Sequence, residues 1–215
     1  MTENEERRSP VKYEFKDLMP GRERLLILLG LPALSLIVPL FMSAVSPGFL
    51  LDAANTMRAN LYLYIACLMF TLFNSMRFLR EGFDILLDEK QRCLLALLMA
   101  YLLNIVLNFA LQFILGAFRL ELGVSPNNEY VFNGSGGTFG EMVALLVLMA
   151  PVVEEMFFRG VVFGGLYKYG RILAYAVSIL LFASSHVIQY VLMTGDFSYL
   201  LFILVYIPAS TALAW

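Results

Sequence analysis

Only one histidine, His186, and two cysteines, Cys67 and Cys93, occur in 215 residues, and this scarcity closes off several kinds of chemistry. A catalytic zinc usually takes three protein ligands, and the chain has neither an HExxH pattern nor the cysteine spacing of a zinc or redox site. No cofactor is expected; a metal would have to draw its remaining ligands from carboxylates, which leaves a metal held by Glu154 and His186 as a ligand-poor alternative. Both cysteines fall in or beside apolar runs and read as packed or lipid-facing thiols. Charge is scarce too. With 15 Lys+Arg against 17 Asp+Glu the net charge is -2 and the sequence pI is about 5.5, which leaves no basic surplus for phosphates. No nucleic-acid partner is expected.

Apolar residues, by contrast, make up 60% of the chain, and mean hydropathy is +0.76 with 15% charged residues. Water-soluble domains carry about 25% charged residues, so the solvent for most of this chain is lipid. A spanning helix needs about 20 apolar residues, which places candidate spans at 25–45, 61–79, 93–118, 142–166, 171–190 and 197–215. The fold class is therefore all-α, a polytopic transmembrane helical bundle of about six spans. Residues 1–24 mix both charge signs and lack the short basic start of a secretory signal. They read as a cytosolic tail, and 25–215 as the transmembrane domain. Between the spans lie a turn at Ser46-Pro47-Gly48, a charged loop from Arg77 to Arg92, and a loop with Asn127-Asn128 and Gly134-Ser135-Gly136-Gly137 that reads as a flexible external segment.

Orientation follows from where Lys and Arg sit in short loops. Six basic residues lie in the tail (Arg7, Arg8, Lys12, Lys16, Arg22, Arg24). Four lie in the second loop (Arg77, Arg80, Lys90, Arg92) and two in the fourth (Lys168, Arg171), against Arg58 and Arg119 elsewhere. A six-span chain in the cell membrane with its N-terminus in the cytoplasm satisfies this bias.

Four ionisable residues fall deep inside apolar segments: Glu154, Glu155 and Arg159 in the fourth span and His186 in the fifth. A charged side chain at mid-bilayer costs about 2.5–3.5 kcal/mol even on lenient insertion scales, so such residues face a protein interior or a cavity. Glu155 and Arg159 share a helical face at i and i+4 and could simply be a buried ion pair that fixes packing. His186 could likewise be an interhelical hydrogen-bonding group. Neither reading provides for Glu154. Glu154 lies fourteen residues before Lys168 and His186 fifteen after Arg171, so at about 1.5 Å per residue both sit roughly 21–22 Å from one membrane face. In an antiparallel hairpin a carboxylate and an imidazole would meet at that level, where such a pair can hold and deprotonate a water. Arg159 could orient Glu155 beside them.

At these residues the chain resembles the CAAX-protease and bacteriocin-processing family of intramembrane glutamic endopeptidases. Its Glu-Glu-x-x-x-Arg motif reads Glu154-Glu155-Met-Phe-Phe-Arg159 here, and its later Phe-x-x-x-His motif reads Phe182-Ala-Ser-Ser-His186. The resemblance covers about residues 140–215. It implies hydrolysis of a peptide bond within the membrane, with Glu154 as the base that activates water and His186 helping to bind that water. Glu155 and Arg159 would support the site, and Phe182 would be a packing residue. The implied partners are a peptide or protein substrate and membrane lipid.

The family also places a histidine and an asparagine on a later helix, where they are thought to stabilise the oxyanion. Here no second histidine exists and the chain ends at Trp215. Removing an oxyanion donor typically costs about 10²–10³ in rate. Truncation, a partner helix that completes the site, or abandoned catalysis would each account for the departure, and truncation is the expectation. Two other function classes compete: a non-catalytic immunity or scaffold protein of the same family, and a proton relay, since intramembrane Glu and His also line ion paths. No repeated half supports the relay.

Overall fold

The computed structural model describes Asp17 and residues 19–46, 53–125 and 138–214. Most of the tail, the turn after Ser46, the loop containing Asn127 and Gly134, and Trp215 lie outside the described residues. Among those described, every regular element is helical. In chain order they are α1 (Gly21–Val45), α2 (Ala53–Asn74), α3 (Met76–Asp88), α4 (Lys90–Ala117), α5 (139–167), α6 (Arg171–Ser185), α7 (Ile188–Thr194) and α8 (Phe197–Ala214).

The all-α membrane bundle read from composition is present. Three helices, α1, α4 and α8, are long and apolar enough to cross a membrane, and five such spans exist if the bent pairs α2–α3 and α6–α7 each count as one. Helix α5 covers the segment expected at 142–166 as one continuous rod, yet stands outside that count because Glu154, Glu155 and Arg159 occupy it.

Where the sequence suggested a charged loop from Arg77 to Arg92, the chain is helical. Helix α2 ends at Asn74, and α3 leaves it at an angle of 83°. The residues of α3 explain the difference: Arg77, Arg80, Glu81, Asp84 and Asp88 fall on one helical face, with Met76, Leu79, Phe83 and Leu86 opposite. That is the pattern of a helix lying in the membrane–water interface rather than crossing it. The bend has its own chemistry. The Ser75 hydroxyl, fully buried, donates to the Thr71 carbonyl. The Glu23 carboxylate of α1 accepts from the backbone N–H groups of Arg77 and Phe78, each at 3.3 Å, placing negative charge on the unsatisfied donors of the α3 N-terminus.

Helix α5 starts in a capping box: the Thr138 hydroxyl accepts from the Glu141 N–H while the Glu141 carboxylate accepts from the Thr138 N–H. It then departs twice from α geometry, with π-helical turns at Ala144–Met149 and Met156–Phe163 on either side of Ala150–Glu155. Pro151 cannot donate to the preceding turn and its ring crowds it, and a wider turn just before it relieves both effects.

Helix α5 is the middle of the molecule. On one side α1 and α2 pack against it through Ile27, Leu31, Cys67, Val153, Met156 and Val161. On the other, α6 packs on it and α8 on α6. The last residues before α1 join this body: Met19 is buried against Gly160, and Arg24, paired with Asp17, lies over Gly164 and Gly165. Helices α1 and α2 approach so closely at Gly30 that a Cβ there would collide with the Phe70 ring.

Overpacking a close helix contact typically costs about 1–3 kcal/mol. Gly30→Ala is therefore expected to lower the thermal midpoint of the purified protein in detergent, and adding Phe70→Ala is expected to recover part of the loss. Equal midpoints for Gly30→Ala and the parent chain would contradict the packing of α1 on α2.

Candidate functional site

The four intramembrane ionisable residues converge where α2, α5, α6 and α8 meet. Arg159 is the most connected of them. From α5 its guanidinium donates to the Ser178 hydroxyl of α6 at 3.0 Å and to the Ser210 carbonyl of α8 at 3.0 Å. It pairs with Glu155 on its own helix, Nε to Oε2 at 3.4 Å, and lies over the Phe182 ring at 5.2 Å. Ser178 in turn donates to the Phe158 carbonyl at 2.9 Å. Ser178 and Ser210 are fully buried, as are Ala174 and Ala183 on α6. Small residues let membrane helices approach closely enough for one guanidinium to reach three of them. Glu155 Oε1 is buried with no hydrogen-bond partner among the described residues, so the Arg159 charge is its main compensation.

His186 sits at the C-terminal end of α6, where the chain bends by 44° into α7. The span expected as one piece over 171–190 is thus broken at this histidine. A helix end leaves carbonyls without intrahelical donors, and here the Phe182 carbonyl accepts from His186 Nδ1 at 2.9 Å and from the Ser185 hydroxyl at 2.7 Å. A carbonyl can only accept, so Nδ1 carries a proton, and in the neutral imidazole Nε2 then presents a lone pair. The ring stacks on Tyr206 of α8, centroids 4.7 Å apart and planes 25° apart. The Tyr206 hydroxyl is hydrogen-bonded to the buried Ser125 at 2.8 Å. Phe182 does more than pack: its ring meets Phe158 edge-on at 5.3 Å, lies under Arg159, and its carbonyl sets the histidine tautomer.

Glu154 faces His186 across the hairpin, Oε2 to Nε2 at 3.9 Å. Its other oxygen accepts a hydrogen bond from the Tyr64 hydroxyl of α2 at 3.2 Å. The meeting of carboxylate and imidazole expected from their equal depth is therefore seen in the geometry. Glu154 and Glu155, adjacent in sequence, point to different partners: one to α2 and α6, the other along its own helix to Arg159. No three His, Cys, Asp or Glu side chains gather as metal ligands among the described residues.

Sequence reasoning missed Tyr64, Ser125, Ser178, Tyr206 and Ser210. Its search asked which ionisable residues lie within apolar segments, and hydroxyl side chains pass that search unmarked because membrane helices carry many of them.

The type II CAAX prenyl endopeptidase Rce1-like family matches residues 138–215. That segment carries both motifs and coincides with the stretch over which the resemblance was read. No curated protein and no solved structure gives a match to the chain.

Removing one partner of a buried ion pair typically costs about 3–5 kcal/mol. Arg159→Ala is expected to cost that order of stability, and Arg159→Lys less, because an ammonium keeps the charge but not the planar fork. Thermal unfolding in detergent measures both. Wild-type midpoints in Arg159→Ala would show that the guanidinium does not hold α5, α6 and α8 together.

Proposed function

We propose that this chain is a CAAX-type intramembrane endopeptidase that hydrolyses a peptide bond with a water activated by Glu154. The family match over the motif-bearing segment supports the general role. The observation that carries the finer reading is the 3.9 Å separation of Glu154 Oε2 and His186 Nε2. That gap is too long for a direct hydrogen bond and is suited to a bridging water.

With the imidazole neutral and its proton engaged on Nδ1, both facing atoms are acceptors. A water between them donates one O–H to each and turns an oxygen lone pair outward, toward the carbonyl carbon of a peptide in the site. As that oxygen bonds to the carbon, Glu154 takes the proton, and the carbonyl oxygen becomes the oxyanion. When the C–N bond breaks, the departing nitrogen takes the proton back from Glu154, leaving a carboxylic acid and an amine. Arg159 and Glu155 hold the local geometry rather than enter the steps. Phe182 fixes the imidazole through its carbonyl. Protein groups and water suffice for this cycle, so no cofactor is invoked.

The substrate is a peptide or protein segment that reaches the site from the membrane, with the N-terminus of the enzyme in the cytoplasm and the chain in the cell membrane. A helix from a partner remains part of the proposal as a source of an oxyanion donor.

The test uses the chain in proteoliposomes with a fluorogenic peptide carrying a prenylated C-terminal cysteine motif. Loss of a general base typically costs about 10²–10⁴ in rate, so Glu154→Gln and His186→Ala should each lose at least that order of kcat with the fold intact. Cleavage that persists in Glu154→Gln would sink the proposal, whereas full biological activity of Glu154→Gln in the absence of cleavage would favour a non-catalytic immunity or scaffold role.

A further inference from the structure

Glu154 has two carboxylate oxygens, and the proposed chemistry uses only the one facing His186. The other is occupied by Tyr64, which lies on α2, well outside the segment that matches the family. A carboxylate only accepts, so the phenol donates. The Tyr64 side chain is partly buried as well, packed against the core that α1, α2 and α5 share.

A glutamate side chain has three rotatable bonds, and a carboxylate in a low-dielectric site can turn either oxygen to either neighbour. The Tyr64 hydrogen bond at 3.2 Å on Oε1, with Oε2 at 3.9 Å from the imidazole, removes that freedom. We propose that Tyr64 is a positioning residue for the Glu154 base, holding one carboxylate oxygen so that the other faces His186. The inference rests on the reading of Glu154 as the base. Its consequence is that the site is assembled from both parts of the chain, with α2 supplying a group that neither motif encodes.

Tyr64→Phe removes the hydroxyl and keeps the ring, so a packing role would survive it. A lost hydrogen bond to a charged group corresponds to about 10- to 100-fold in rate. In the proteoliposome assay Tyr64→Phe is expected to lower kcat by that factor with KM within about twofold of wild type and an unchanged thermal midpoint. Groups that act as a unit are non-additive. Tyr64→Phe combined with Glu154→Gln should therefore be no slower than Glu154→Gln alone. Full kcat in Tyr64→Phe beside an inactive Glu154→Gln would overturn this inference and leave the base assignment standing. A fall in kcat matched by a fall in thermal midpoint would overturn it in favour of packing. Persistent cleavage in Glu154→Gln would instead remove the base assignment itself.

Discussion

The constraint on which the rest of this structure depends is the cost of a guanidinium among apolar helices. Arg159 has five N–H donors and no water-rich surface to turn to, and lipid offers none of them an acceptor. The acceptors come instead from a serine hydroxyl on α6 and a serine carbonyl on α8, while the Glu155 carboxylate on its own helix balances the charge. Satisfying one side chain thereby draws three helices to one point, and the fully buried Ser178 and Ser210 mark how close they come. With α6 tied to α5 at this level, His186, two helical turns beyond Ser178, is brought opposite Glu154.

Departures from regular helix geometry gather around the same residues. Two π-helical stretches flank Ala150–Glu155, and α6 breaks at His186. Each break exposes or shifts backbone groups that a regular helix would satisfy internally. At the α6 break the orphaned Phe182 carbonyl is the acceptor that sets the imidazole tautomer. Irregular backbone at membrane depth is tolerated where it is buried in protein or lines a cavity, and here it determines which nitrogen faces the carboxylate. The helix end is thus part of the chemistry available to the site.

The motif-bearing part of the chain was the legible part. Charges inside apolar runs are costly enough to stand out, so Glu154, Glu155, Arg159 and His186 could be found by counting, and the common depth of Glu154 and His186 followed from helix rise. The turn of the chain at Ser75 was not legible, because the charges from Arg77 to Arg92 look the same in a loop as in an interfacial helix until their helical phase is examined. The contribution of α2 was equally hidden: Tyr64 is one of 11 tyrosines, and nothing local distinguishes it from the others.

What the sequence determined by itself was the solvent, the helical class, and the identity and depth of the charged residues, because hydrophobic transfer and charge burial are large terms that depend on composition and spacing. What only the tertiary structure decided was which atoms meet: Glu154 Oε1 with Tyr64, Oε2 toward His186, Arg159 with Ser178 and Ser210. Those pairings depend on helix rotation and separation to within an ångström or so, set by small residues, bends and wide turns acting together. Hydrogen bonds form or fail on that scale, and no term summed along the chain carries it.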